Sequence, residues 1–182
     1  SKIKKGEFMD ELDFEGIVQD VAKLPWIDSV QVMRLFPETV ALRIVEKQPI
    51  AMIFDGVAYY PVDARGQIVR KSFSDAQGLF ITMGNNANEH IVDLLKALNK
   101  YPELKDRVVS SMWMGNRRWD IFIDDEIDGI LIKLPEGNID YSLKKLAEKQ
   151  KEEQILDREI KEIDLRVEDK VLVKIKPKTR SI

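Results

Sequence analysis

Several groups of residues have the types and spacing that chemistry requires. Asp124-Asp125-Glu126-Ile127-Asp128-Gly129 places acids at the first, third and fifth positions of a loop and glycine at the sixth, as a calcium loop does. The twelfth position, which should hold a bidentate glutamate, is Pro135. The residues on either side read as strands, so the segment is expected to be a solvated hairpin turn. Asp120, Asp124 and Glu126 are candidates for a carboxylate-based hydrolase. That chemistry needs two carboxyl groups about 5–9.5 Å apart in a groove. Asn116-Arg117-Arg118-Trp119-Asp120 sets two guanidiniums beside an indole, a pattern that can stack on bases. Against it stands a net charge of -3. An arginine stem packed over Trp113 or Trp119, or an ion pair across a sheet, is the expected use. His90 is the sole histidine and there is no cysteine. Neither a catalytic triad nor a zinc site has its ligands, and His90 is expected on the surface. Gly84-Asn85-Asn86 ahead of a helix suits capping better than anion binding.

The C-terminal stretch offers chemistry of a different kind. Val171, Val173 and Ile175 alternate with Leu172, Lys174 and Lys176, the period of a strand. As the last strand it is a candidate sheet edge. Its unpaired N–H and C=O groups would either be guarded by Lys170, Lys174, Lys176 and Lys178 or accept the strand of an acidic partner.

Other elements must hold these groups in place. Asp13 is a candidate N-cap for a helix whose face is Phe14, Ile17, Val18, Val21 and Leu24. Pro25 stops it, and Trp26 is expected to wedge between helix and sheet. Two strands follow, joined by a turn at Phe36-Pro37-Glu38-Thr39. A helical turn is possible over Gly6 to Leu12. Beyond Pro49 the signals become mostly β. Asp55-Gly56 between apolar runs predicts a hairpin. Asp63 to Gly66 predicts a turn leading into a strand at Gln67 to Arg70, and Leu79 to Met83 reads as a short strand. Ile91, Leu94, Leu95 and Leu98 give a helix to about Lys100 one apolar face. Strands are expected at Arg107 to Met114, Trp119 to Ile123 and Gly129 to Leu134. A charged helix spans about Ile139 to Leu156, with Leu143, Leu146 and Ala147 inward. A closing hairpin is formed by Glu159 to Arg166 and Lys170 to Lys176.

The chain has 182 residues, 44% hydrophobic and 34% charged. That is enough for one large domain or two small ones, each with a core. It carries no basic footprint for nucleic acid, no dinucleotide or P-loop motif, no disulfide framework, and no run of the ~20 apolar residues that spans a bilayer.

Three separated blocks resemble one family. Leu24-Pro25-Trp26-Ile27, Arg34-Leu35-Phe36-Pro37-Glu38-Thr39 and Ile44-Val45-Glu46-Lys47-Gln48-Pro49-Ile50-Ala51 are similar to the polypeptide-transport-associated (POTRA) domain of the FtsQ/DivIB bacterial division proteins. Trp113 to Asp120 with Ile132-Lys133-Leu134-Pro135-Glu136 resembles that family's β domain. Ile163-Asp164-Leu165-Arg166 followed by Asp169 to Val173 resembles its ending. The blocks occur in order and cover nearly the whole chain from about residue 6.

The resemblance implies an α+β chain. A POTRA domain at residues 1–48, a helix on a small sheet and curtailed at its N-terminus, precedes a mostly antiparallel β domain with two helices at 49–182. It implies a non-enzymatic scaffold without cofactors. Such a protein is anchored in the inner membrane by one upstream helix outside this sequence, is periplasmic in this region and is concentrated at the division septum. It recruits and bridges divisome proteins, FtsB, FtsL and possibly further septal proteins, and does not bind nucleic acid. In the family FtsB pairs with the edge strand that ends the β domain. Here that maps to the residues after Arg166, so Val167, Lys170, Val171, Val173, Lys174 and Ile175 are the candidate partner-binding set. Val167 stands where relatives can carry an aromatic residue. Two other readings are a POTRA module of outer-membrane assembly, which would call for tandem repeats, and the hydrolase above.

Overall fold

The computed structural model describes residues 13–37, 39–69 and 78–177. The Gly6–Leu12 turn, Glu38, Arg70 and Lys178 lie outside them. The first helix, α1 (Phe14–Ala22), opens as its sequence dictates: the Asp13 carboxylate accepts the Gly16 N–H at 2.9 Å. It ends before Pro25 and packs on β1 (Ile27–Leu35), which pairs antiparallel with β2 (Thr39–Glu46) as a two-stranded sheet. Trp26 is only half-buried. The buried position at the handover belongs to its neighbour Ile27.

The rest forms one eight-stranded sheet with β3 (Pro49–Phe54), β4 (Tyr59–Asp63), β5 (Phe80–Met83), β6 (Val108–Met114), β7 (Arg118–Ile123), β8 (Ile130–Lys133), β9 (Ile160–Asp164) and β10 (Leu172–Ile175). Their spatial order is β10-β9-β8-β7-β6-β5-β3-β4. The β3/β4, β6/β7, β7/β8 and β9/β10 pairs are antiparallel. The β3/β5, β5/β6 and β8/β9 pairs are parallel, so the sheet is mixed, though antiparallel-rich. The Gln67–Arg70 strand reduces, among described residues, to a single bridge between Val62 and Ile68.

The parallel steps require crossovers. α2 (Ala87–Leu98) and the short α3 (Pro102–Lys105) join β5 to β6, and α4 (Ile139–Glu153) joins β8 to β9. β5 and β8 run in the same direction and both crossovers step the same way along the sheet. Right-handed connections therefore place both helices on one face. That face is the core: Ile91, Leu94 and Leu98 of α2 and Leu143 and Leu146 of α4 are fully buried against Trp119, Ile121, Ile132 and Ile163. Gly84 shows how tight the turn into α2 is. Its φ is +113°, and a Cβ there would sit 2.5 Å from the Trp113 carbonyl oxygen.

The two sheets are joined through Lys47. Its N–H donates to the Trp26 carbonyl at 2.9 Å, and its ammonium pairs with Asp63 at 2.9 Å, the two side chains being 14% and 5% exposed. Asp63 also accepts the N–H groups of Arg65 and Gln67. Burial pushes its carboxyl up, but the Lys47 ammonium and these N–H groups outweigh it and hold the carboxyl below the usual range.

Candidate functional site

The two edges of the large sheet are treated differently. At β4 the chain turns back on itself: the Val69 N–H donates to Pro61 and the Asp63 N–H to Gln67. At the opposite edge nothing among the described residues pairs with the outer side of β10. Leu172, Val173, Lys174 and Ile175 are all exposed, Ile175 by 70%.

Which backbone groups of β10 face outward follows from strand geometry. The Lys176 N–H donates inward to the Glu159 carbonyl at 2.9 Å. Backbone direction alternates along a strand, so Leu172 and Lys174 also bond inward, opposite Asp164 and Glu162. The Leu165 N–H donates to Lys133 of β8, which independently leaves Asp164 and Glu162 to face β10. Val173 and Ile175 therefore point their N–H and C=O groups away from the sheet. A groove of about 450 Å³ runs beside them. Val171, Val173, Ile175 and Ile160 line it together with Ile155, Lys149, Glu153 and Arg158 from the end of α4 and beyond. Val171 is half-buried and packs against the core, so its side chain forms the groove's floor.

Val167 and Lys170 sit in the connection from β9 to β10, where the Lys170 N–H closes a turn onto the Val167 carbonyl at 3.1 Å. Val167 is 42% exposed. Both line a second recess, of about 260 Å³, with Asn138, Tyr141 and Lys145 of the α4 entrance. There the Tyr141 hydroxyl donates to Asp169 at 2.7 Å, and that bond pushes the tyrosine above its ordinary range. The six expected residues thus fall along one edge: Val167 and Lys170 line one recess, Val171, Val173 and Ile175 line the other, and Lys174 lines neither. Sequence patterning missed the contributions of α4 (Tyr141, Lys149) and of Arg158 beyond it, because which helix lies beside β10 is set by the sheet order.

The other candidates have structural roles. Arg107 grips Asp124 through two hydrogen bonds, of 2.7 and 2.9 Å, and also reaches Asp157 at 2.7 Å. The Asp125 carboxylate accepts the Ile127 and Asp128 N–H groups, which hold it below the usual carboxylate range. The calcium-like loop is a self-capped turn. Asp120 is buried and paired with Arg118 on its own strand rather than across the sheet. Burial pushes its carboxyl up, against the pull of Arg118. With Asp124 and Glu126 exposed in the loop, the three acids do not make a hydrolase pair. His90, expected on the surface, is half-buried and stacked on Trp113 with ring centroids 4.3 Å apart. Asn86 caps α2 by a left-handed backbone and makes no side-chain cap bond.

Comparison with known proteins agrees with this architecture. Residues 1–47 match the POTRA domain, FtsQ-type, and residues 51–166 match cell division protein FtsQ/DivIB, C-terminal. Among curated relatives, the cell division protein FtsQ of Rhizobium radiobacter is 29% identical over 167 residues, covering 90% of this chain and 77% of the relative. That of Rickettsia felis is 30% identical over 169 residues, covering 93% and 62%. That of Agrobacterium fabrum is 29% identical, with 51% of its length matched. The chain thus spans from about half to about three quarters of the length of these relatives. By the matched domains, their order and these relatives, the chain belongs to the FtsQ/DivIB family of cell division proteins.

Proposed function

We propose that this chain is the extracytoplasmic part of a division scaffold anchored by an upstream membrane helix, with a POTRA domain to about residue 48 and a β domain from 49 onward. It works by binding and not by catalysis. It recruits and bridges FtsB and FtsL, and possibly further septal proteins, by accepting a strand on β10. The observation that carries this reading is the open outer side of β10, where Val173 and Ile175 direct main-chain groups outward over an apolar groove. Strand addition supplies affinity through main-chain bonds and specificity through alternate side chains. Val173 and Ile175 would take apolar side chains into the groove, while Lys170 and Lys174 would steer an acidic segment, an effect that shrinks with salt.

The test is amide hydrogen exchange on this chain with a peptide from the C-terminal region of FtsB. Protection gained at Val173 and Ile175, with Lys174 already protected in the free protein, is the expected outcome. Binding that leaves the β10 amides unchanged would refute the reading.

A further inference from the structure

The large sheet has a second face, and its composition is unusual. Both crossover helices lie on the core side, so no helix among the described residues covers the other. Such a face is normally polar. Here register alignment lays two rows across it. One runs Tyr59–Phe54–Met83–Met112 and then Asp120–Lys133–Asp164. The other runs Pro61–Met52–Ile81–Ser110–Phe122–Leu131 and then Glu162–Lys174. The first row is apolar over β4, β3, β5 and β6, carries charge across β7, β8 and β9 and ends on β10 at Leu172; the second is apolar over β4, β3 and β5, passes the buried Ser110 of β6, is apolar again at Phe122 and Leu131, and is charged at β9 and β10.

The charged half is largely neutralised from within. Asp120 pairs with Arg118, Lys133 with Glu162 at 2.8 Å and Asp164 with Arg166 at 2.6 Å. The apolar half has no such satisfaction. Met52, Ile81, Met83, Met112 and Phe122 are half-buried, and none belongs to the core cluster or packs against it. Phe54 and Tyr59 pack ring on ring at 4.8 Å along the rim. Ser110 lies among these side chains, wholly buried, its hydroxyl without a partner among the described residues.

We propose that this apolar half-face is a second docking surface, distinct from β10, and that its occupant is an amphipathic helix of a partner protein. Size decides between occupants. The ten positions from Tyr59 to Met112 in one row and from Pro61 to Leu131 in the other, on strands about 4.8 Å apart with the rows about 6.7 Å apart, span roughly 300 Å². A stable dimer of sheets needs about 800 Å² per partner, and here it would have to bury the ion-paired half as well. A helix of three to four turns, ~16–22 Å long and ~10 Å wide, covers the apolar half alone. Methionines suit such a surface because their unbranched side chains repack around different apolar shapes.

The probe is a fluorescein-labelled 18-residue leucine/lysine amphipathic helical peptide, titrated into the intact chain by fluorescence anisotropy. Met83→Lys with Met112→Lys should weaken binding at least ten-fold, while Met112→Leu and Val173→Pro leave it unchanged. Should the lysine variants fail to fold, peroxide footprinting of the wild-type chain replaces them, and the peptide should then slow oxidation of Met83 and Met112. Three results would overturn the proposal. They are equal affinity for the folded lysine variants, no protection of the methionines, and self-association in sedimentation that Met83→Lys abolishes, which would make a second copy the occupant.

Discussion

Replacing two adjacent residues of β10 with proline separates binding from folding. Val173→Pro removes an N–H that points away from the sheet, so β10 keeps its bonds to β9. Proline is tolerated on an edge when the missing donor faces solvent, and stability should stay within about 0.5 kcal/mol of wild type. Affinity for an added strand should fall. One main-chain bond is worth about 0.5–1.5 kcal/mol net, and the ring also holds the incoming strand away from its neighbours. A loss of one to two bonds corresponds to roughly five- to thirty-fold in Kd. Lys174→Pro does the reverse. It deletes an inward donor opposite Glu162, leaves a carbonyl unpaired and should cost ~1–3 kcal/mol of stability. Isothermal titration with an FtsB-derived peptide and calorimetric unfolding read the two quantities. A folded Val173→Pro chain that binds like wild type would refute strand addition. Unfolding by Val173→Pro with Lys174→Pro harmless would show the backbone alternation to be the opposite of that deduced from the Lys176 and Leu165 bonds.

Other consequences follow from the same geometry. Lys47→Met strands the buried Asp63 carboxylate and should destabilise the chain by ~3 kcal/mol, seen as a lowered Tm; the double variant Lys47→Met/Asp63→Asn should recover part of the loss. Asp63 and Asp164, the latter held low first by its bond from Arg166, both bind protons less tightly folded than unfolded. Their stabilisation should be complete above about pH 4 and fade as pH drops through their folded-state values, as urea midpoints across pH 2–6 would show. Ser110→Ala removes a buried hydroxyl that has no partner among the described residues and should be neutral or stabilising by up to ~1 kcal/mol; a clear loss of stability would mean that the hydroxyl is bonded in solution.

The local elements were legible because their causes are local. Asp13 caps α1 within its own first turn, and the Leu143, Leu146 and Ala147 spacing fixes the buried stripe of α4. Asp55 turns the β3–β4 hairpin by accepting the Val57 and Ala58 N–H groups, bonds that span two or three residues. The strand period of β10 was plain, and so was the lysine pattern of an edge.

Pairings between distant residues decided the rest. The parallel β5/β6 and β8/β9 steps, unexpected from hairpin signals, arise because crossover helices bring together strands 25 residues or more apart. Those steps put both crossover helices on one face, leave a methionine-bearing face without a helix among the described residues, and bring the end of α4 beside β10. The same holds for His90 on Trp113 and Lys47 on Asp63. Hydrophobic period reports which side of a strand is apolar. It carries no information about which strand lies alongside or whether a layer covers the other side, because those depend on the closure of long loops and the handedness of their connections.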